Sequence, residues 1–170
     1  MPRNHVTRAT AGASFPAPEH DHQTCYGSAV ARAEQAFEAH GLRLTELRRK
    51  VFAEIAGSHH ALGAYDVLEM LARKGDRLAP ISVYRAIEAL LGAGVIHRLE
   101  SRNAFFACHD AHASGEARLV LACEACSRVA EVDGAGVLRE IGIAIEAAAF
   151  QPRRMVVEVS GLCRDCRTAP

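Results

Sequence analysis

Two pairs of cysteines are the residues in this sequence whose type and spacing most clearly indicate chemistry. Cys123 and Cys126 form one Cys-x-x-Cys unit, Cys163 and Cys166 form another, and 36 residues separate the two units. A turn of this length places two thiolates on one side of a short loop, and two such turns supply the four ligands of a tetrahedral zinc ion. Because all four ligands come from the protein, the predicted site is closed and stabilises the fold.

The alternative interpretation of these units is a pair of redox-active dithiols. One such motif is plausible in a small domain and two are not, so the pattern favours zinc. The first 28 residues contain no apolar run of signal-peptide length, and no later segment is apolar enough to span a membrane. We therefore expect a cytoplasmic protein with no membrane partner, whose cysteines are metal ligands rather than disulfides.

A second group of possible ligands lies around the centre of the chain. It combines imidazole, thiolate and carboxylate groups, which together suit a four-coordinate zinc ion: His97, Cys108, His109, Asp110, His112, Glu116 and Glu131. Each residue alone has an ordinary explanation, such as a surface histidine or a solvated carboxylate. As a cluster they predict a metal site. Ligands drawn from two domains bind metal only in one mutual orientation, so such a site couples metal occupancy to geometry.

The elements that must position these groups begin with four predicted helices, whose apolar residues recur at helical spacing. The first carries Val30, Ala33 and Phe37, and the second follows a Thr45 cap and ends at Gly57. The third covers residues 64–73, and the fourth begins at Pro80 and ends at Gly92. Residues 95–100 and 104–108 are predicted strands joined by a turn. This order is typical of a winged helix, whose last helix enters the major groove of DNA.

The second half of the chain is predicted to alternate strand and helix. Strands are expected at 118–122, 128–132 and 154–160, with a helix after Asp133 that carries Val137, Ile141, Ile145 and Ala148. So small a unit has too little core to be secure alone, so a metal clamp and a second subunit are expected.

The predicted fold class is α+β. It comprises a flexible tail at residues 1–28, an N-terminal winged helix-turn-helix domain at 29–103, and a small C-terminal α/β zinc-bound dimerisation domain at 104–170.

The outward face of the fourth helix is the predicted DNA-reading surface. Its apolar residues face inward, which leaves Ser82, Tyr84, Arg85 and Glu88 toward solvent or DNA. Arginine can bind the edge of guanine, and tyrosine can contact a thymine methyl group. The overall charge does not decide the matter, because 20 basic residues balance 20 acidic ones.

Longer strings of residues carry a family resemblance. They are Leu42-Arg-Leu-Thr45-x-x-Arg48, Ala64-Tyr-Asp-Val-Leu68, Ser82-Val-Tyr-Arg85-Ala86, Gly94-Val-Ile-His97-Arg-Leu-Glu100-Ser101 and Gly161-Leu-Cys163-x-x-Cys166. In combination, across residues 30–167, they resemble the Fur family of metal-responsive transcriptional regulators. The string around His97, together with Cys108, is similar to the zinc uptake regulators (Zur) of that family. The histidine-rich stretch of iron-sensing relatives is replaced by residues 117–122.

The resemblance implies two Zn²⁺ ions per subunit, one structural and one regulatory. The regulatory ligands would be His97, Cys108, a histidine upstream of Cys123, and Glu131. Glu116 stands where that histidine is expected. His112 is therefore the favoured ligand, with His109 as an alternative and Glu116 in reserve.

The resemblance also implies a function. The protein would be a homodimeric, zinc-responsive repressor of zinc-uptake genes that binds a palindromic double-stranded DNA operator and has no small organic substrate. Tyr84 and Arg85 would read the groove beside Ser82, and Arg43 and Arg48, with Arg49 and Lys50, would position the protein on the DNA.

Two other functions compete with this one. The first is an iron, peroxide or haem sensor of the same family, against which Cys108 argues because thiolate favours zinc over Fe²⁺. The second is a small zinc-dependent hydrolase, which needs an open metal position and a general base. The sequence contains no His-Glu-x-x-His string, so we expect no catalytic residues and no enzyme.

Overall fold

The structure, a computed structural model, describes residue 15 and residues 22–58, 60–107 and 118–168, with the backbone alone at 22–25 and 118. The helices of this part are α1 (His22–Ala39), α2 (Glu46–Ala56), α3 (Ala64–Arg73), α4 (Pro80–Gly92), α5 (Ala135–Ala147) and α6 (Arg164–Thr168). The strands are β1 (Ile96–Leu99), β2 (Ala104–Ala107), β3 (Arg118–Cys123), β4 (Val129–Asp133) and β5 (Glu158–Gly161). In these ranges no helix combines the length and apolar character needed to cross a bilayer.

Local capping signals explain why α2, α3 and α4 begin where they do. The Thr45 hydroxyl accepts the N–H of Arg48 at 3.4 Å, and the Asp66 carboxylate accepts the N–H of Gly63 at 2.8 Å. Pro80 occupies the first turn of α4, where no backbone N–H donor is needed. The bounds predicted for these three helices are confirmed.

The first helix is longer than predicted and includes part of the segment that was expected to be a flexible tail. Residues 22–28 were assigned to a flexible segment that ends at residue 28, but α1 already begins at His22. The reason is that Tyr26 and Ala29 extend the apolar stripe of Ala33 and Phe37 by almost two turns. Tyr26 packs against the main core, and the other three residues are buried in it. The rest of the predicted tail lies outside the described residues, apart from Phe15.

The hairpin follows directly on α4 and links two cores. Strands β1 and β2 pair antiparallel, with Ile96 opposite Ala107, and the turn closes at Asn103 in the left-handed conformation, with φ 49°. Phe105 belongs to the main core of the helices. Phe106, on the other face, belongs to a second cluster. The domain boundary predicted after residue 103 therefore falls between two paired strands, and β2 contacts both halves.

The C-terminal half is built on a three-stranded sheet in the order β4-β3-β5. Strand β4 runs antiparallel to β3, and β5 runs parallel to it. The predicted strand at 154–160 is wrong over its first four residues, because β5 begins only at Glu158. Arg154 instead turns its guanidinium to the carboxylate of Glu100 beside the hairpin.

Helix α5 is at least partly exposed along its whole length. The side chains of Ile141 and Ile145 are only half-buried, Val137 is 46% exposed, and α5 contains no buried residue. Asp133 accepts the N–H of Ala135 at 2.9 Å, but the N-cap position is Gly134, one residue later than predicted. The helix forms where the sequence predicts it, but the described part of this chain does not cover its apolar face.

The two halves meet at a junction made of one apolar cluster and several hydrogen bonds. Leu99 and Phe106 of the hairpin pack against Ala122 and Val129 of the sheet. The carboxylate of Glu158 accepts the backbone N–H groups of Glu100, at 2.6 Å, and Ser101, at 3.0 Å. These two donors open the short 3₁₀ turn of the hairpin. Glu158 therefore acts across the junction as a cap for that turn.

The charge of Glu158 contributes to this contact. Burial raises the pKa of its carboxyl group, but the N–H groups of Glu100 and Ser101, together with Arg154, lower the pKa further, to a net value below the ordinary 4.5. A folded-state pKa below the unfolded one stabilises the fold at pH values above the unfolded pKa. That stabilisation is lost as the pH falls through the lower folded-state pKa.

We predict that Glu158→Ala loosens the junction without unfolding the helical core. Removing the acceptor leaves two N–H donors unpaired, which costs about 1–3 kcal/mol. At neutral pH, hydrogen exchange at Glu100 and Ser101 should then accelerate by about 10- to 100-fold. The matched variant Glu158→Gln keeps one acceptor oxygen and should show a smaller increase. Unchanged exchange at both amides in Glu158→Ala would contradict this role.

Candidate metal centres

The parallel pairing of β3 with β5 brings the two cysteine pairs together. In its register Ala122 lies opposite Ser160 and Cys123 opposite Gly161, so both strands end at the same edge of the sheet. The first pair turns at the end of β3, and the second follows β5 directly, with Cys166 inside α6. The N–H of Glu124 donates to the carbonyl of Gly161 at 2.8 Å and ties the two turns to each other.

The four sulfur atoms form a cluster with the dimensions of a metal site. The Sγ atoms of Cys123, Cys126, Cys163 and Cys166 all lie within 4.8 Å of one another. The Sγ atoms of Cys126 and Cys163 are 3.8 Å apart. With Zn–S bonds of 2.3 Å, the edge of a tetrahedron of sulfurs is about 3.8 Å. The donor set therefore fits a tetrahedral Zn²⁺ with no position left open for water or substrate.

The backbone favours the thiolate form, which metals bind, at two of the four sulfurs, those of Cys123 and Cys163. Burial by itself raises the pKa of the Cys123 thiol, but N–H groups of Cys163 and Cys126 point at its sulfur and lower that pKa from 9.0 to about 6. The N–H of Cys163 lies 3.4 Å from this sulfur. The pKa of Cys163 is also lowered, chiefly because its sulfur accepts the N–H of Cys166. The pKa of Cys166 is instead raised from 9.0 to about 12, chiefly by hydrogen bonding to the side chains of Cys163 and Cys126. Metal ligation requires thiolate, so the backbone N–H groups of the turns favour ligation by Cys123 and Cys163.

A second pair of candidate ligands meets across the junction. His97 of β1 and Glu131 of β4 come from different halves of the chain, and their Nε2 and Oε1 atoms are 3.8 Å apart. The carboxylate is 9% exposed and the imidazole 43% exposed. The ring of His97 also packs on Phe106, with centroids 5.8 Å apart. The structure thus brings together two of the four residues predicted for the regulatory site.

The other candidates for this site lie outside the described residues. They are Cys108, His109, Asp110, His112 and Glu116, all within residues 108–117. The strands on either side of this segment lie at the junction. Phe106 pairs with His97, and Val120 pairs with Glu131. The strand residues that flank this segment, Ala107 and Arg118, therefore lie within a few residues of the His97–Glu131 pair.

The predicted DNA-reading helix presents an exposed face with few contacts to the rest of the chain. Val83, Ile87 and Leu90 are buried, whereas Tyr84 is 39% exposed and Arg85 is also exposed. Among the described residues, Arg85 has no hydrogen bond or ion pair. Ser82 is half-buried. Tyr65 of α3 lies edge-on to Tyr84, with ring centroids 6.3 Å apart, and is 68% exposed.

The basic residues near α2 are less free than their sequence pattern suggests. Arg48 donates to the carbonyl of Arg43 at 2.7 Å and lies over the ring of Phe37. Lys50 bonds Asp76 at 2.6 Å, and Arg49 bonds Glu34 at 2.5 Å. Arg43 has an exposed side chain. Three of these cations therefore also stabilise the corner between α1, α2 and the loop after α3.

Sequence reasoning did not single out three residues at these sites. Tyr65 extends the aromatic part of the exposed face, and an exposed aromatic residue after a helix cap is the signal that could have indicated it. Glu158 caps the hairpin turn, and Arg128 contacts the cysteine cluster. Glu158 contacts a turn that is distant in sequence, and Arg128, although it is close to Cys126, also reaches Cys163 and Asp165. Spacing along the chain carries no signal for these distant contacts.

Comparison with known proteins agrees with this architecture. Residues 39–160 match the Ferric uptake regulator family. The chain belongs to that family. Among its relatives, the zinc uptake regulation protein of Escherichia coli (strain K12) is 31% identical over 137 residues, which cover 81% of this chain and 80% of the relative.

Two solved Fur-family proteins show the same fold over most of their length. A zinc uptake regulator complexed with zinc and DNA has a TM-score of 0.76 at 29% identity, covering 88% of this chain and 97% of its own. The holo form of XcZur has a TM-score of 0.74 at 35% identity, covering 85% of this chain and 99% of its own. The apo form of XcZur covers the same 85% of this chain, but its TM-score is 0.50.

We predict that Cys166→Ser removes one tightly bound zinc ion per chain and destabilises the C-terminal half. Binding free energy at a four-thiolate site is folding free energy, so its loss should expose the sheet to proteolysis. Metal analysis after exhaustive dialysis and limited proteolysis measure the two effects. The comparison variant Cys108→Ser keeps all four clamp ligands and should retain that ion. A Cys166→Ser protein with full zinc content would contradict the assignment.

Proposed function

We propose that this chain is a zinc-responsive transcriptional repressor that binds a palindromic DNA operator as a homodimer in the cytoplasm. Two Zn²⁺ ions per subunit are proposed. The structural ion would be held by Cys123, Cys126, Cys163 and Cys166. The regulatory ion would be held by His97, Cys108, His112 and Glu131, with Glu116 in reserve.

The pairing of His97 with Glu131 across the junction is the observation that carries this proposal. One residue is on the hairpin that flanks the DNA-reading helix, and the other is on the sheet that bears the cysteine clamp. When bound, the Zn²⁺ ion would be shared by ligands from both halves of the chain. Without it, the direct interaction between the half-exposed imidazole and the carboxylate is a 3.8 Å contact, which is weaker than a shared metal ion. Occupancy and domain orientation are coupled for this reason.

The comparison with XcZur supports the same coupling. This chain matches its holo form with a TM-score of 0.74 and its apo form with 0.50, although identity and coverage hardly differ between the two. The difference therefore lies in conformation rather than in sequence. The arrangement of this chain resembles the one that a relative adopts in its holo form.

The choice of zinc rests on the ligand set. The clamp consists of four sulfur atoms, and the proposed regulatory site adds the thiolate of Cys108 to nitrogen and oxygen ligands. Soft sulfur ligands favour zinc over Fe²⁺. Two of the relatives have names that agree: a zinc uptake regulation protein and a zinc uptake regulator complexed with zinc and DNA. An iron sensor of the same family is therefore the weaker candidate.

Dimerisation through the C-terminal half follows from its exposed apolar surface. The side chains concerned are large, 46–65% exposed, and gathered in α5 and the segments around β5: Val137, Ile143, Phe150, Met155, Val156, Val159 and Leu162. A concentration of this kind marks a surface that is covered by a partner. A second copy would place two α4 helices at a fixed separation, as a palindromic operator requires.

We predict that His97→Ala abolishes zinc-stimulated DNA binding while leaving the fold, the dimer and one zinc ion per subunit unchanged. His97 takes no part in the cysteine clamp, so only the regulatory site loses a ligand. The measurement is a zinc titration of binding to DNA fragments selected from a random pool by the zinc-loaded protein.

The control for this variant is His40→Ala, which removes an exposed histidine remote from the junction and should switch normally. A His97→Ala protein that still switched at wild-type zinc concentrations would contradict the regulatory assignment. His112→Ala and Glu116→Ala, titrated in the same way, decide which of the two is the fourth ligand.

We predict that Arg85→Ala lowers affinity for the selected DNA by about 1–3 kcal/mol and relaxes base preference at one position. The reason is that Arg85 lies exposed on α4, where it can reach base edges. Arg43→Ala is the matched comparison. It should weaken all DNA similarly and reduce the salt dependence by about one unit of slope. An unchanged ratio of selected to random DNA binding in Arg85→Ala would exclude α4 as the reader.

A further inference from the structure

Arg128 is the buried cation of the cysteine cluster. It lies two residues after Cys126, immediately before β4, and is 9% exposed. Burying a guanidinium group is costly unless hydrogen-bonded partners compensate for the lost water. Its partners are therefore informative about what the residue does.

The guanidinium of Arg128 bridges the two cysteine pairs. Its Nε donates to the Sγ of Cys126 at 3.2 Å, and its Nη2 donates to the Sγ of Cys163 at 3.3 Å. One of these sulfurs belongs to each Cys-x-x-Cys unit. The same Nη2 donates to the carboxylate of Asp165 at 2.5 Å, which orients the planar group from the side of α6.

The backbone around Arg128 holds this position. Its carbonyl accepts the N–H of Cys123 at 2.9 Å, so the residue is tied to a third cysteine through the main chain. It also forms an isolated bridge with His60, in the loop between α2 and α3. The side chain is therefore directed at the sulfurs by contacts on both sides.

The positive charge of Arg128 affects the sulfurs that it contacts. Four thiolates around Zn²⁺ carry a net charge of about −2. A guanidinium that donates two N–H···S hydrogen bonds offsets part of that charge and withdraws electron density from the sulfurs it touches. Hydrogen bonds of this type, made to metal ligands by residues that do not bind the metal, orient the ligands and tune the site.

We propose that Arg128 is a positioning residue of the zinc clamp. It locks the two Cys-x-x-Cys turns together through Cys126 and Cys163, and it protects these two sulfurs against electrophiles and against loss of the metal. This inference rests on the proposed structural zinc and adds to it a residue that does not bind the ion.

The test compares zinc-loaded Arg128→Met with Arg102→Met as a matched control. Arg102 donates to the hydroxyl of Ser127, at 3.0 Å, in the same turn, but the structure shows no contact between its side chain and a clamp sulfur. Two quantities are measured: the rate of zinc transfer to the chromogenic chelator 4-(2-pyridylazo)resorcinol, and the rate at which iodoacetamide alkylates each cysteine, resolved by mass spectrometry.

Arg128→Met should release zinc about 10- to 100-fold faster than the wild type, whereas Arg102→Met should not. Alkylation of Cys126 should increase more than that of Cys166, although both are half-buried. A general loss of stability would raise both rates alike. Arg128→Lys should restore the wild-type rates only in part, because one ammonium group cannot bridge two sulfurs as the planar fork does.

Three further results would bear on the role of Arg128. Zinc release and alkylation in Arg128→Met equal to those in Arg102→Met would overturn it. If Arg128→Met does not fold, Arg128→Lys and Asp165→Asn replace it, and wild-type rates in both would also overturn it. A wild-type protein without tightly bound zinc removes the structural ion itself, and with it both this inference and that part of the proposed function.

Discussion

The parallel pairing of β3 with β5 is the constraint on which the C-terminal half depends. Its register sets Cys123 opposite Gly161 and thereby places two distant Cys-x-x-Cys turns at one edge of the sheet. The sheet has little else to support it, because no residue of α5 is buried. A helix that buries nothing contributes little free energy through the hydrophobic effect. Within one chain, the cysteine cluster and the junction therefore supply stability that a core would otherwise provide.

The first cysteine turn is also where the helical half attaches. The Nδ1 atom of His60 donates to the carbonyl of Cys126 at 2.5 Å, and the N–H of Ala61 donates to the carbonyl of Ser127 at 3.2 Å. Ser127 itself adopts the left-handed conformation, with φ 58°. The clamp is thus one side of the contact between the halves. A disturbance of its ligands would reach the loop before α3 through two hydrogen bonds.

The proposed regulatory site acts on the same junction from another side. His97 and Glu131 lie on strands that flank the small cluster of Leu99, Phe106, Ala122 and Val129. Because this apolar cluster is small, other interactions also determine how the two halves are oriented. They include the cap by Glu158 and the proposed shared metal ligands. A metal-dependent switch requires a weak interface whose preferred orientation is stabilised by one strong contact that forms only when the metal is bound.

The sequence by itself determined what depends on neighbours within a few residues. Thr45 and Pro80 indicated the starts of α2 and α4, and the spacing of the cysteines indicated the clamp, since caps and short turns are local interactions. The helix after Asp133 was predictable for the same reason. The mixed set of ligands around the centre of the chain predicted a second site, and the structure brings together His97 and Glu131 from it.

Only the tertiary structure decided what depends on residues distant in sequence. The periodicity of α1 was present in the sequence, but the packing of Tyr26 against the core shows how far the helix extends. The predicted strand at 154–160 was cut short because Arg154 bonds Glu100, 54 residues away. The exposure of α5 and the bridge that Arg128 makes between Cys126 and Cys163 have no pattern along the chain. Burial and ion pairing arise from packing, which brings together residues that local spacing does not relate.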